Sequence, residues 1–237
     1  MNFLTIGVAM LLLALGQSHA ASWPDPERLR NSIDAFQATD KAMPVASGAV
    51  LAVGSSSIRL WQTGGLFAEH MTPLTVVNRG FGGSVMNDVE YFLAETVLQY
   101  RPRAVLIYEG DNDVSEGITT DVIMASLRTI VRRIHDQDAT VRIYLLSVKP
   151  SLDRWHLWPK MQAVNQAYRA YAETDARIHY LDLATSMLTA EGLPRPDIFV
   201  ADGLHMNRAG YALWRRSVAD PVIASEQIFE ADKSPAP

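Results

Sequence analysis

The feature that most constrains this chain is a regular alternation of short apolar runs with longer amphipathic stretches. The runs are residues 48–53 (GAVLAV), 75–77 (TVV), 104–108 (AVLIY), 141–146 (VRIYLL) and 178–181 (IHYL). Successive side chains of a strand point to opposite faces, so a run apolar at nearly every position needs cover on both sides. The stretches between them supply that cover. Residues 85–99 carry apolar side chains at 85, 86, 89, 92, 93, 97 and 98, and residues 122–135 at 122, 123, 127, 130, 131 and 134, which is mostly helical spacing. Residues 159–172 and 208–218 are further helix candidates. Strand and helix in alternation predict an α/β fold: a three-layer α/β/α sandwich around a central, roughly five-stranded parallel sheet. In such sheets a ligand sits beyond the carboxyl ends of the strands.

The N-terminal residues follow a different logic. Residues 3–15 are almost wholly apolar, shorter than the ~20 residues a helix needs to span a bilayer. Gln17-Ser18-His19-Ala20 follows, with small residues three and one before a cleavage point after Ala20. That layout predicts a signal peptide over residues 1–20, export to the periplasm or beyond, and no membrane span after cleavage, although Met1-Asn2 brings no Lys or Arg. One domain is expected over 21–224. Residues 225–237, short, polar and proline-ended, are expected to form a flexible tail. The chain has no cysteine, which excludes disulfides, thiolate nucleophiles and cysteine metal sites. A net charge of −5 with no extended basic run gives nothing to attract nucleic acid.

Four polar constellations fall where the sheet rule puts a ligand. Gly54-Ser55-Ser56-Ser57 follows the first run; a glycine there permits a tight strand-to-helix turn that points a serine into a cleft, although three serines also make an ordinary helix cap. Asn78-Arg-Gly-Phe-Gly-Gly83-Ser84 follows the second. It is not a dinucleotide loop, because Val85 stands where a third glycine is required. Glycines that let a backbone N–H approach a ligand are one reading, a flexible turn the other. Glu109-Gly-Asp111-Asn112-Asp113 follows the third, and its acids lack the continued spacing of a calcium loop. The Asn112 amide can donate to an oxyanion or close an Asx-turn. Asp202-Gly-Leu-His205 precedes the last helix; three residues' separation lets the carboxylate reach the imidazole, as an active pair or as a satisfied surface pair.

Taken in order, the four resemble the motif blocks of the SGNH (GDSL-like) hydrolase family, particularly its platelet-activating-factor-acetylhydrolase-like esterase branch, over roughly residues 49–213. The resemblance implies a flavodoxin-like three-layer fold and hydrolysis of a carboxylic ester without metal or organic cofactor. It assigns Ser56 as nucleophile, two residues after Gly54, with His205 as general base and then general acid and Asp202 orienting it. The Ser56 and Gly83 N–H groups and the Asn112 side chain would form the oxyanion hole. Ser55 departs from the pattern, standing where the family usually has aspartate.

Arg154 and Trp155, after the fourth run, are candidates for substrate contact or for loop packing. Asp111 and Asp113 read as loop-shaping, and His70, His135, His156 and His179 as structural. The expected substrate is a small-molecule, glycan or lipid ester, with preference for a short-chain or acetyl group because no long amphipathic lid segment is evident. Two other classes compete: a non-catalytic carbohydrate-binding module with the same cleft, and an anion-binding protein using the glycine loop. Neither requires the combined serine, glycine, asparagine and Asp-His set.

Overall fold

The computed structural model of the protein describes residues 22–45 and 47–230. The expected leader and its cleavage point lie outside these residues, as does the tail beyond 230. Five strands form one sheet: β1 (Val50–Gly54), β2 (Val76–Gly80), β3 (Ala104–Tyr108), β4 (Arg142–Leu146) and β5 (Ile178–Leu181). All neighbours are parallel, in the order β2-β1-β3-β4-β5. The helices, in chain order, are α1 (Arg30–Ala42), α2 (Ser56–Trp61), α3 (Leu66–Met71), α4 (Met86–Tyr91), α5 (Leu93–Thr96), α6 (Asp111–Ser115), α7 (Thr120–Gln137), α8 (Trp158–Ala172), α9 (Arg208–Trp214) and α10 (Asp220–Glu226).

The three expected layers follow from the double-sided strands. Leu51, Val53, Val105, Ile107, Ile143 and Leu145 point into one core, which α1, α4, α7 and α8 cover. The intervening Val50, Ala52, Leu106, Tyr108, Tyr144 and Leu146 point into a second core under α2, α3, α9 and α10. In α7 the residues Ile123, Leu127, Ile130, Val131 and Ile134 recur at helical spacing and are all buried, so packing on the sheet stabilises the helix.

Sequence and structure differ at four places. Strand β2 continues through Asn78, Arg79 and Gly80, which read as loop; Asn78 is fixed there by donating to the Ile58 carbonyl and accepting from the Gly80 N–H. The candidate helix 85–99 is broken at Phe92 (φ −89°, ψ 15°) and Val97 (φ −132°, ψ −61°). The candidate helix 208–218 passes through a π-turn at Arg215–Ala219, next to Pro221, which has no N–H to return to the preceding turn. The last difference is at the expected tail. Ser225 and Glu226 close α10, and the buried Glu226 carboxylate accepts hydrogen bonds from Arg103, Arg142 and Tyr144 at the amino ends of β3 and β4. Residues 225–230 are thereby tied to the domain.

Candidate active site

The strand-to-helix turn after β1 is built by close approach. A Cβ on Gly54 (φ 147°) would lie 2.2 Å from the Tyr108 carbonyl oxygen, so only glycine lets the end of β1 lie this close to β3. The Ser55 N–H then donates to that same oxygen, and the Ser55 carbonyl accepts from Ile58 and Arg59 in the first turn of α2. Ser55 and Ser57 are buried; the Ser57 carbonyl accepts from the Tyr211 hydroxyl. Ser56 is left as the half-exposed member of the three, and the first residue of α2.

The segment before α9 meets it across 149 residues of sequence. His205 Nε2 lies 2.9 Å from Ser56 Oγ, and His205 Nδ1 lies 2.6 Å from Asp202 Oδ2. The other Asp202 oxygen accepts the Leu204 and His205 N–H groups, at 2.8 and 2.9 Å. Burial pushes the Asp202 carboxyl up, but the hydrogen bonds from the His205 ring and the two amides outweigh it and hold the group at about 2. The carboxylate is therefore charged at neutral pH and fixes the proton on Nδ1, which leaves Nε2 free to accept from the serine. A hydroxyl, imidazole and carboxylate linked in this order can move a proton off the hydroxyl onto the imidazole without protonating the carboxylate.

Two further loops are sewn together at the same sheet edge. The Asn112 side-chain nitrogen donates to the Ser84 carbonyl at 2.8 Å, and Asp113 accepts the Met86 and Gly110 N–H groups at 2.8 Å each. The Ser84 hydroxyl donates to Glu109. Gly83 (φ 82°) is exposed, with open space where a Cβ would stand, so its backbone is approachable. One amide N–H of Asn112 remains after the Ser84 bond. Burial, then the neighbouring Asp113, pushes Glu109 well above the usual carboxylate range, and burial raises Asp113 to about 6. Asp111 moves the other way: burial opposes its charge, but Lys149 and Arg154 outweigh it. Asp111 and Asp113 thus shape the loop through backbone and ion-pair contacts, as the sequence suggested.

Arg154 does not extend into open solvent. Its guanidinium pairs with Asp111 Oδ1 at 2.7 Å and donates to Asn112 Oδ1 at 2.9 Å. Trp155 stacks on Trp158 with ring centroids 5.8 Å apart and packs against the first core. Of the other histidines, His70 accepts from the Trp61 indole, His135 bonds the Val141 carbonyl and His179 stacks on Tyr144. Arg28, to which no motif in the sequence points, makes two bonds to Asp88 and a third, at 3.2 Å, to the Gly83 carbonyl. Nothing in the local sequence pairs residue 28 with a loop 55 positions away. Among the described residues, no group of three or more His, Asp or Glu side chains is arranged to hold a metal ion, and no helix is long and apolar enough to cross a membrane.

Residues 56–213 match the family model described as GDSL-like Lipase/Acylhydrolase family. The chain is 28% identical over 166 residues to platelet-activating factor acetylhydrolase IB subunit alpha1 of Pongo abelii, covering 69% of this chain and 70% of that one. The Homo sapiens protein of the same name is 27% identical over 165 residues, covering 68% and 70%. Among solved structures, a GDSL-like lipase from Bacteroides thetaiotaomicron superposes with TM-score 0.71 at 18% identity, covering 81% of this chain and 98% of that one. A catalytic mutant of an acetylxylan esterase from Geobacillus stearothermophilus gives TM-score 0.61 at 19% identity, covering 76% and 96%. At these identities the structural likeness carries the fold alone.

Proposed function

From the premise that this chain belongs to the GDSL-like lipase/acylhydrolase family, and so hydrolyses carboxylic esters, we propose that it does so through Ser56, His205 and Asp202. The observation that carries the proposal is the continuous hydrogen-bonded chain from Ser56 Oγ through the His205 ring to Asp202, at 2.9 and 2.6 Å. Ser56 Oγ attacks the ester carbonyl as His205 Nε2 takes its proton; Asp202 stabilises the imidazolium. The tetrahedral oxyanion is held by the Ser56 and Gly83 N–H groups and by the Asn112 amide. His205 then returns the proton to the leaving alkoxide, and water repeats the sequence on the acyl-serine.

The expected acyl group is short, acetyl above all. The curated relatives and the esterase from Geobacillus bear names that specify acetyl esters, which supports that preference without fixing the alcohol. Hydrolysis of p-nitrophenyl acetate by wild type and by Ser56→Ala tests the assignment. Turnover lost in a folded mutant is expected, and turnover retained in it eliminates Ser56 as nucleophile. Residues 1–20 are read as an export signal; exported protein should begin at Ala21, and a retained Met1 overturns that reading.

A further inference from the structure

We infer that the groove beside His205 receives the alcohol portion of the ester, and that this portion is apolar. The inference rests on the roles of Ser56 and His205 proposed above. A groove of about 470 Å³ runs between the α2–α3 segment and residues 200–211. Its apolar lining is Leu60, Leu66, Val200, Met206 and Tyr211, and Asp202 and His205 also line it. The Tyr211 hydroxyl is taken up by the Ser57 carbonyl, so the ring, not the hydroxyl, is available to a ligand. Besides Asp202, charged groups occur at the exposed Glu69 and Arg208.

The layers of the fold decide which arm of an ester enters. Leu66, Met206 and Tyr211 belong to the core under α2, α3 and α9. Phe81, Met86 and Val114, which flank Gly83 and Asn112, belong to the core on the other face of the sheet. The groove is thus walled by side chains of the layer under α2, α3 and α9, whereas the segments that carry the two oxyanion donors pack on the opposite layer. In the tetrahedral intermediate the oxyanion faces Gly83 and Asn112. The leaving oxygen must face His205 Nε2, because that ring supplies the proton as the carbon–oxygen bond breaks, releasing a neutral alcohol and leaving the acyl group on Ser56. The substituent on the leaving oxygen is thus the one beside the imidazole, where the groove begins. A volume in the usual range for small-molecule sites is far larger than an acetyl group needs. Its lining rewards hydrocarbon.

The test compares kcat/KM for methyl, butyl and hexyl acetates with kcat/KM for methyl acetate, butyrate and hexanoate. Wild type and two variants that place bulk at exposed groove positions, Thr63→Trp and Val200→Trp, are measured. In wild type the efficiency should climb with alcohol length by up to about fourfold per methylene, the equivalent of ~0.8 kcal/mol per buried CH₂. The tryptophan variants should lower the hexyl-to-methyl acetate ratio about tenfold or more while leaving the acyl-length ratios as they are. A flat alcohol series in wild type, or variants that shift the acyl series instead, overturns the inference. Labelling of Ser56 by a fluorophosphonate in all three proteins separates the two levels. Unlabelled wild type removes the nucleophile assignment itself, whereas labelled protein with a flat alcohol series removes only the groove assignment. A variant that does not label is set aside in favour of the other.

Discussion

The guanidinium of Arg154 holds the side-chain oxygen of Asn112 at 2.9 Å, which turns the amide nitrogen away from it and onto the Ser84 carbonyl at 2.8 Å. Asn112 is thereby fixed at both ends, and in the proposed mechanism Arg154 positions it. Preorganised donors stabilise a developing oxyanion without reorganising as the charge forms, and loss of one costs about 10²–10³ in kcat. Asn112→Ala should show a loss of that order. Arg154→Met should lower kcat about tenfold with little change in KM, since Asp111 keeps Lys149 at 3.0 Å as a partner. Combined with Asn112→Ala, Arg154→Met should cost nothing further. Additive losses in that cycle would show that Arg154 acts elsewhere.

Asp202→Asn addresses the imidazole. An amide in place of the carboxylate presents either oxygen or nitrogen to Nδ1 and removes the charge that opposes the imidazolium. Activity on p-nitrophenyl acetate should fall roughly 10³–10⁴-fold, with stability near neutral pH nearly unchanged because Asp202 is exposed. A loss under tenfold would mean that His205 does not depend on this carboxylate.

Glu109 gives a pH dependence of folding. Its carboxyl is fully buried, one oxygen accepts from Ser84, and burial followed by the adjacent Asp113 raises it well above 4.5. The folded protein thus retains a proton that the unfolded chain releases, so rising pH favours unfolding. This contribution is complete below about 4.5 and is lost as pH climbs through the raised value. Asp113, raised to about 6, acts with the same sign between roughly pH 4 and 6. Glu109→Gln cannot titrate. Urea unfolding at pH 5, 7 and 9 should show wild type losing stability relative to this variant as pH rises; parallel profiles would contradict the assignment.

Gly80 and Gly83 separate steric from conformational cost. A Cβ on Gly80 would stand 2.3 Å from the Arg59 backbone nitrogen in α2, the helix that begins with Ser56, and backbone there cannot give way cheaply. Gly80→Ala should cost about 3 kcal/mol or more. Gly83→Ala meets open space and bears only the left-handed backbone, φ 82°, worth about 1–2 kcal/mol. Urea midpoints measured at constant m-value check the order, and a reversed order would refute the packing account.

The layers are legible in the amino-acid pattern alone. Alternating positions in 50–54, 104–108 and 142–146 divide between two cores, as runs apolar on both faces require. The pattern also placed Ser56, Gly83, Asn112 and the Asp202–His205 pair at one edge, because each follows a strand or precedes the last helix. Asp202 and His205 are close in sequence, so their contact is a local matter and legible there. The meeting of Ser56 with His205, 149 positions apart, was decided by the tertiary structure, which alone brings the β1 turn and the last loop together. The same holds for Arg28 on the Gly83 carbonyl, Arg154 on Asn112, and Glu226 under β3 and β4. Each joins a charged side chain to a partner at least 42 residues away. Hydrophobic period records which face of an element is buried, but carries no information about which distant polar group a buried charge will find.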